Sequence, residues 1–176
     1  FYQNVALSGV VPQISIVAGP CAGGAAYSPA LTDFIIQTAA SRMFITGPDV
    51  IKQVTGEDVS AEALGGPAAH MVRSGVTHFV ADDDHQAILI AKKLLSFLPS
   101  NNTEEPPFIE GNDVVERDES LNEIMPVDPK KGYDVREVSI RLADLGDFLE
   151  VQAGVAANIV VGFGRITGRT GGFGAN

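Results

Sequence analysis

Residues 14–34 read ISIVAGPCAGGAAYSPALTDF, an alternating apolar run that meets a glycine-punctuated turn and then a series of helix formers. Ile14 and Ile16 alternate as in a strand, which Gly19 and Pro20 should close. A helix is expected over Ala22–Ala40, with Ala26, Ala30, Phe34 and Ile35 as its apolar positions. Pro29 either makes its first turns irregular or marks where the helix proper begins. Strand, glycine turn and helix in this order form the repeating unit of an α/β layered fold.

The same alternation continues downstream. Arg42–Thr46 reads as a second strand closed by Gly47 and Pro48, and Asp49–Val54 as a short helix. A helix is expected through the stretch AHMVR (69–73), and a third short strand over His78–Ala81. Asp82, Asp83 and Asp84 then bring negative charge to the start of a helix over Gln86–Phe97, where it interacts favourably with the helix N-terminus. Ile88, Ala91, Leu95 and Leu98 are the expected buried stripe of that helix.

Composition divides the 176 residues into three zones. Residues 1–98 read as packed domain. Residues 99–137 hold 11 of the 22 acidic residues and five of the ten prolines, as a connecting segment would. In 138–176 apolar residues return in the pattern of a helix followed by a strand, as at the start of a second domain. Since the chain opens at Phe1 and closes on the glycine-rich GGFGAN, it reads as a piece of a longer protein.

The balance of charge and cysteine excludes several functions. Twelve basic against 22 acidic residues give a formal charge of −10, which repels a nucleic-acid backbone. The single cysteine, Cys21, forms no internal disulfide, and no secretory leader pattern is present, so a reducing, cytoplasmic setting is expected. The longest apolar stretch, around Ala87–Leu98, is interrupted by Lys92 and Lys93 and falls short of the roughly 20 residues that span a bilayer. No membrane insertion is expected.

One segment carries the pattern of a reactive site. Gly23 and Gly24 stand between an expected strand end and an expected helix start. Without Cβ atoms they let a ligand oxygen approach their backbone N–H groups, and the helix N-terminus adds attraction for developing negative charge. Such main-chain donors build an oxyanion hole, each worth about 2.7–4 kcal/mol of transition-state stabilisation. The alternative is a turn whose glycines only permit tight strand-to-helix packing, and spacing alone leaves both open.

Five separated motifs narrow the choice: GPCAGGAAYSPALTDFIIQ (19–37), MFITGPDVIKQVTGEDVSAEALGG (43–66), HMVRSGVTHFVADDD (70–84), LLSFLPSNN (94–102) and NIVVGFGRITGR (158–169). Together, and in this order, they closely resemble the carboxyltransferase (β) subunit of acyl-CoA carboxylases, the propionyl-CoA carboxylase branch best. The resemblance implies a partial crotonase-like α/β fold: the end of an N-terminal domain, an interdomain connection, and the start of a C-terminal domain. It further implies transfer of a carboxyl group from carboxybiotin to the α-carbon of a short acyl-CoA, either propionyl-CoA, giving methylmalonyl-CoA, or acetyl-CoA. The acyl thioester oxygen would be held by backbone N–H groups while an enolate forms.

Further expectations follow from the same resemblance. Gly23 and Gly24 fall on the family's oxyanion glycines, with Ala22, Ala25 and Tyr27 beside them in the acyl pocket. The segment Asn158–Arg169 is associated with CoA or biotin binding, which singles out Gly162, Gly164, Arg165 and Arg169; either arginine could pair with a phosphate or be merely solvated. Biotin would arrive as carboxybiotin on a partner's carrier domain, and ATP would be used only by a partner biotin carboxylase (α) subunit. The full-length parent would be a homo-oligomer with active sites at a dimer interface, and the isolated 176 residues would lack turnover. Sodium-linked acyl-CoA decarboxylases share this chemistry in reverse, and a non-catalytic acyl-CoA-binding or subunit-contact module is the third reading. The end of the chain departs from the family, since Gly172 and Gly174 replace apolar residues and should weaken a strand there.

Other signals point to nothing catalytic. His70, His78 and His85 lack zinc-motif spacing, so no metal is expected. They read as a helix-face, a strand-start and a first-turn residue. Gly162–Gly168 imitates a dinucleotide fingerprint, but Thr167 occupies its sixth and last place, where a glycine belongs, and no strand-turn-helix context follows. Cys21 reads as a small buried residue and Asp33 as a solvated or hydrogen-bonded helix residue.

Overall fold

In the computed structural model, which describes residues 1–110, 119–128 and 130–176, the chain forms two compact units, Phe1–Glu105 and Pro106–Asn176. Unit 1 begins with helix α1 (Tyr2–Leu7) and strand β1 (Ile14–Val17). A short strand β2 (Pro20–Ala22), helix α2 (Gly24–Ala30), and strands β3 (Phe34–Thr38) and β4 (Arg42–Phe44) follow. Helices α3 (Pro48–Thr55), α4 (Ala61–Gly65) and α5 (Pro67–Ala69) lead into a π-helical turn, His70–Ser74. Strand β5 (Phe79–Ala81) and helix α6 (Asp84–Leu95) complete the unit.

Two parallel sheets organise it. One has the order β1-β3-β5, with Ile14 opposite Phe34 and Ile36 opposite Phe79; the other pairs β2 with β4, Cys21 opposite Met43. Helix α6 packs against β3 and β5, and α2 against β1 and β2. Val17, Ala26, Ile35 and Met43 form a buried cluster into which Cys21 also packs. Strand β3 is the centre of the core: Ile36 is 0% exposed, and so is Gln37. Gln37 keeps its polarity satisfied by donating to Ser41 Oγ at 3.2 Å and Gly65 O at 3.4 Å and by accepting from the Thr77 hydroxyl.

The helix expected over Ala22–Ala40 is therefore two elements. It ends at Ala30, where Thr32 Oγ1 donates to Pro29 O at 2.7 Å. Asp33 then exchanges bonds with Gln13, its carboxylate accepting the Gln13 N–H at 2.8 Å and its own N–H donating to Gln13 O at 3.0 Å. This pairing lays β3 beside β1. A strand covered on both faces shows no polar alternation, so Phe34-Ile35-Ile36 reads equally as a helix face. Strand β1 ends at Val17, ahead of Gly19 and Pro20 as expected, and Pro20 then opens the short strand β2.

Helix α6 is capped as the acidic run suggests, with Asp83 accepting the Gln86 N–H at 2.8 Å, a cap worth about 1 kcal/mol. Its buried face is one residue out of phase with the expected stripe. Ala87 and Leu94, with Phe97 just beyond, are buried, while Ile88 and Leu95 are about half exposed. The small Ala87 allows close approach to the sheet and sets this phase.

Unit 2 contains helices α7 (Leu121–Ile124) and α8 (Val135–Leu142), a 3₁₀ turn at Asp144–Gly146, and an antiparallel sheet β6-β7-β8. Its strands are Leu149–Val151, Val160–Ile166 and Arg169–Ala175. Asp134 caps α8 by accepting the Arg136 N–H at 2.9 Å, and the Arg136 guanidinium pairs with Glu150 on β6. The β7–β8 hairpin turns through Thr167 (φ 51°) and Gly168 (φ 77°), both left-handed as a type I′ turn requires. The Asp144 carboxylate holds that turn, accepting from Thr167 N–H at 2.9 Å and Gly168 N–H at 2.7 Å. Despite Gly172 and Gly174, β8 pairs with β7 along its whole length. Phe173 supplies the packing these glycines lack, its ring edge-on to Phe148 at 5.5 Å.

Candidate active site

The end of β2 delivers the chain to Gly23, whose φ of 60° and ψ of −131° are open to glycine and strained for other residues. This bend makes Gly23 the N-cap of α2 and exposes Ala22, Gly24 and Ala25. A Cβ built on Gly24 would meet nothing within 4 Å. The surface above this peptide is open to a ligand.

The two glycines differ as donors. The Gly23 N–H is bound within the chain, at 3.1 Å from both Phe44 O and Ile45 O at the end of β4. It is unavailable to a ligand, which corrects the expectation that it forms half of an oxyanion pair. No described residue accepts from the N–H of Gly24 or of Ala25, the first two residues of α2, while Ala26 N–H donates to Gly23 O at 3.0 Å. The first N–H groups of a helix have no partner inside it, so Gly24 and Ala25 form an adjacent pair of outward donors. The Phe44 and Ile45 carbonyls that take up the Gly23 N–H are over twenty residues downstream and unrecognisable as partners from local sequence.

Tyr27 lies one turn further on α2, 43% exposed and tilted against Phe1 at 5.8 Å between ring centroids. Cys21 sits behind the turn, where burial raises its thiol pKa and keeps it protonated. Ala22–Ala26 contains no ionisable side chain.

The second set of expected site residues lies in unit 2. Gly162 and Gly164 are buried for packing: a Cβ on Gly162 would lie 2.5 Å from Leu149 O and 2.7 Å from the Phe148 ring, and one on Gly164 2.7 Å from the Phe173 ring. Neither offers an open surface. Arg165 is 4% exposed and its Nη1 donates to Asp147 at 2.9 Å, so it is an internal ion-pair residue and not a surface phosphate ligand. Arg169 is exposed, its guanidinium 5.5 Å from the centre of the Phe108 ring, and remains able to meet an anion. Among the described residues no three His, Cys, Asp or Glu side chains gather as a metal site, and no helix is long and apolar enough to cross a membrane.

Against this geometry the comparisons with known proteins are specific. The carboxyl transferase domain family matches residues 1–176. The methylmalonyl-CoA carboxyltransferase 12S subunit of Propionibacterium freudenreichii subsp. shermanii is 63% identical over the whole chain, which covers 34% of that protein. The propionyl-CoA carboxylase beta chain of Saccharopolyspora erythraea is 52% identical, again over the whole chain and 34% of the relative. A crystal structure of transcarboxylase 12S, a hexamer with methylmalonyl-coenzyme A and methylmalonic acid bound, superposes with a TM-score of 0.96 at 63% identity over 99% of this chain and 34% of that one. The chain belongs to the carboxyl transferase domain family and has part of its crotonase-like α/β fold. It spans about a third of the length of these relatives.

Proposed function

We propose that this chain forms part of the carboxyltransferase component of a biotin-dependent enzyme acting on the propionyl-CoA/methylmalonyl-CoA pair. The reading is carried by the two outward N–H groups of Gly24 and Ala25 beneath an open surface, in a chain of this family. The acyl thioester oxygen accepts from these two amides. As the α-proton leaves, negative charge moves onto that oxygen, and fixed donors stabilise it without having to reorganise. The small side chains of Ala22 and Ala25 leave room for a short acyl chain.

The donor set fits a reaction whose base lies elsewhere. With no ionisable side chain in Ala22–Ala26, this segment holds and polarises the acyl group while the proton goes to an acceptor outside it. Carboxybiotin, on a carrier domain of a biotin carboxylase partner, would supply the carboxyl group, and ATP would be consumed in that partner. Residues 1–98 would close an N-terminal carboxyltransferase domain and 138–176 open a C-terminal one, in a cytoplasmic homo-oligomer. Arg169 is the remaining candidate in unit 2 for a CoA phosphate.

The test is carboxyl transfer by the complete carboxyltransferase that carries this chain. Incubation with carboxybiotin and propionyl-CoA should yield methylmalonyl-CoA. No acyl-CoA-dependent consumption of carboxybiotin, with propionyl- or acetyl-CoA, would overturn the proposal. Co-purification with an ATP-dependent biotin carboxylase marks the carboxylating direction, and with membrane subunits the decarboxylating one.

A further inference from the structure

We infer that His70 is a positioning residue for the amide site: its imidazole fixes strand β4, and the carbonyls of Phe44 at its end and of Ile45 just beyond it hold the Gly23 peptide so that the Gly24 and Ala25 N–H groups stay turned outward. The inference rests on the reading of the β2–α2 turn as the acyl-CoA site.

Each link is a short contact. His70 Nε2 lies 2.6 Å from the carbonyl oxygen of Met43, which can only accept, so Nε2 carries a hydrogen. The other ring nitrogen, Nδ1, lies at hydrogen-bond distance, 2.8 Å, from Ser74 Oγ. The ring is thereby held at both ends. Met43 is the central residue of β4 and 4% exposed, and the next two carbonyls along the chain, Phe44 O and Ile45 O, are the acceptors of the Gly23 N–H. Gly23 sits one residue before the two outward donors. A shift of β4 therefore moves the peptide from which those donors project.

The surroundings brace the same strand. Gly65 lies so close under the Met43 carbonyl and the Phe44 ring that no Cβ would fit, and its own carbonyl accepts from the buried Gln37 amide at 3.4 Å. Arg42, the first residue of β4, pairs with Glu62 of α4. These contacts press on β4 from the 60–75 segment. Among them the imidazole is the group that binds the Met43 carbonyl oxygen directly. His70 opens the π-helical turn His70–Ser74, and such turns are frequent at functional sites. The ring also explains a histidine that the proposed chemistry does not use.

The test uses the complete carboxyltransferase and two readouts. His70→Ala should lower kcat by about 10-fold or more, since misplacement of about 1 Å can cost 10²-fold, with KM for propionyl-CoA changed far less. Hydrogen exchange should quicken in the peptide covering 19–31 but not in 79–97. His70→Gln, whose amide can still donate to Met43 O, should restore both; a merely space-filling role predicts no such rescue. Turnover within twofold of the parent together with unchanged exchange at 19–31 would overturn the inference. If the parent itself transfers no carboxyl group, the functional reading fails, and exchange at 19–31 alone decides for or against His70. If His70→Ala does not fold, Ser74→Ala is read instead: releasing Nδ1 should quicken exchange at 19–31, and unchanged exchange would count against the role.

Discussion

Two glycine-rich segments of this chain, 19–31 and 158–175, resemble one another in composition and use their glycines for opposite purposes. At the β2–α2 turn, Gly23 supplies a bend and Gly24 leaves the space above its amide empty. In the β7–β8 hairpin, the space a side chain would take at Gly162 and Gly164 is already filled by the rings of Phe148 and Phe173 and by the Leu149 carbonyl. The first segment leaves main chain exposed, and the second gives aromatic rings access to a sheet. Composition alone does not separate the two; what stands opposite each glycine does.

The same substitution in the two segments should therefore have different effects. Gly162→Ala forces a methyl group into Leu149 O and the Phe148 ring, and should destabilise the protein by about 1–3 kcal/mol in denaturant unfolding. Gly24→Ala places its methyl in open space and should leave stability within about 0.5 kcal/mol, as for an ordinary surface change. Equal losses at the two positions would break the comparison.

A smaller effect sharpens the account of the sheet beside the turn. His78 Nδ1 accepts the Ile35 N–H at 3.0 Å while His78 N–H donates to Ile35 O at 2.9 Å, so the imidazole extends the β3–β5 pairing. Burial lowers its pKa below the ordinary histidine value of 6.5. The unfolded chain then binds the proton more readily than the folded one. Stability should be full above the unfolded pKa and should fall as pH drops through it towards the folded pKa. His78→Gln should flatten that part of the pH–stability curve, and an unaltered curve would remove His78 as its source.

The legible parts of the sequence were those with local chemistry. Asp83 at the start of α6, Gly47-Pro48 before α3 and the short strands at Arg42–Phe44 and Phe79–Ala81 all announce themselves through capping, turn or β-branched residues. Strand β3 did not, because Phe34-Ile35-Ile36 is covered on both faces and carries no alternation. The phase of α6 was hidden because Ala87 contributes burial without hydrophobic bulk. In the candidate site, the turn was found from Gly23-Gly24, but which amides face outward depends on the Phe44 and Ile45 carbonyls, a long-range pairing. Arg165 reads from the sequence as either a phosphate ligand or a solvated arginine, and is neither, because its partner, Asp147, comes from the segment before β6.

On the proposed function, the Gly24 amide, with that of Ala25, holds the thioester oxygen. Gly24→Pro in the complete carboxyltransferase tests it most directly, since proline suits the first position of a helix and removes only the N–H in question. The variant should keep the parent's melting transition, with a kcat for carboxyl transfer to propionyl-CoA reduced by about 10²–10³-fold. A folded Gly24→Pro variant that keeps the parent's kcat would contradict it.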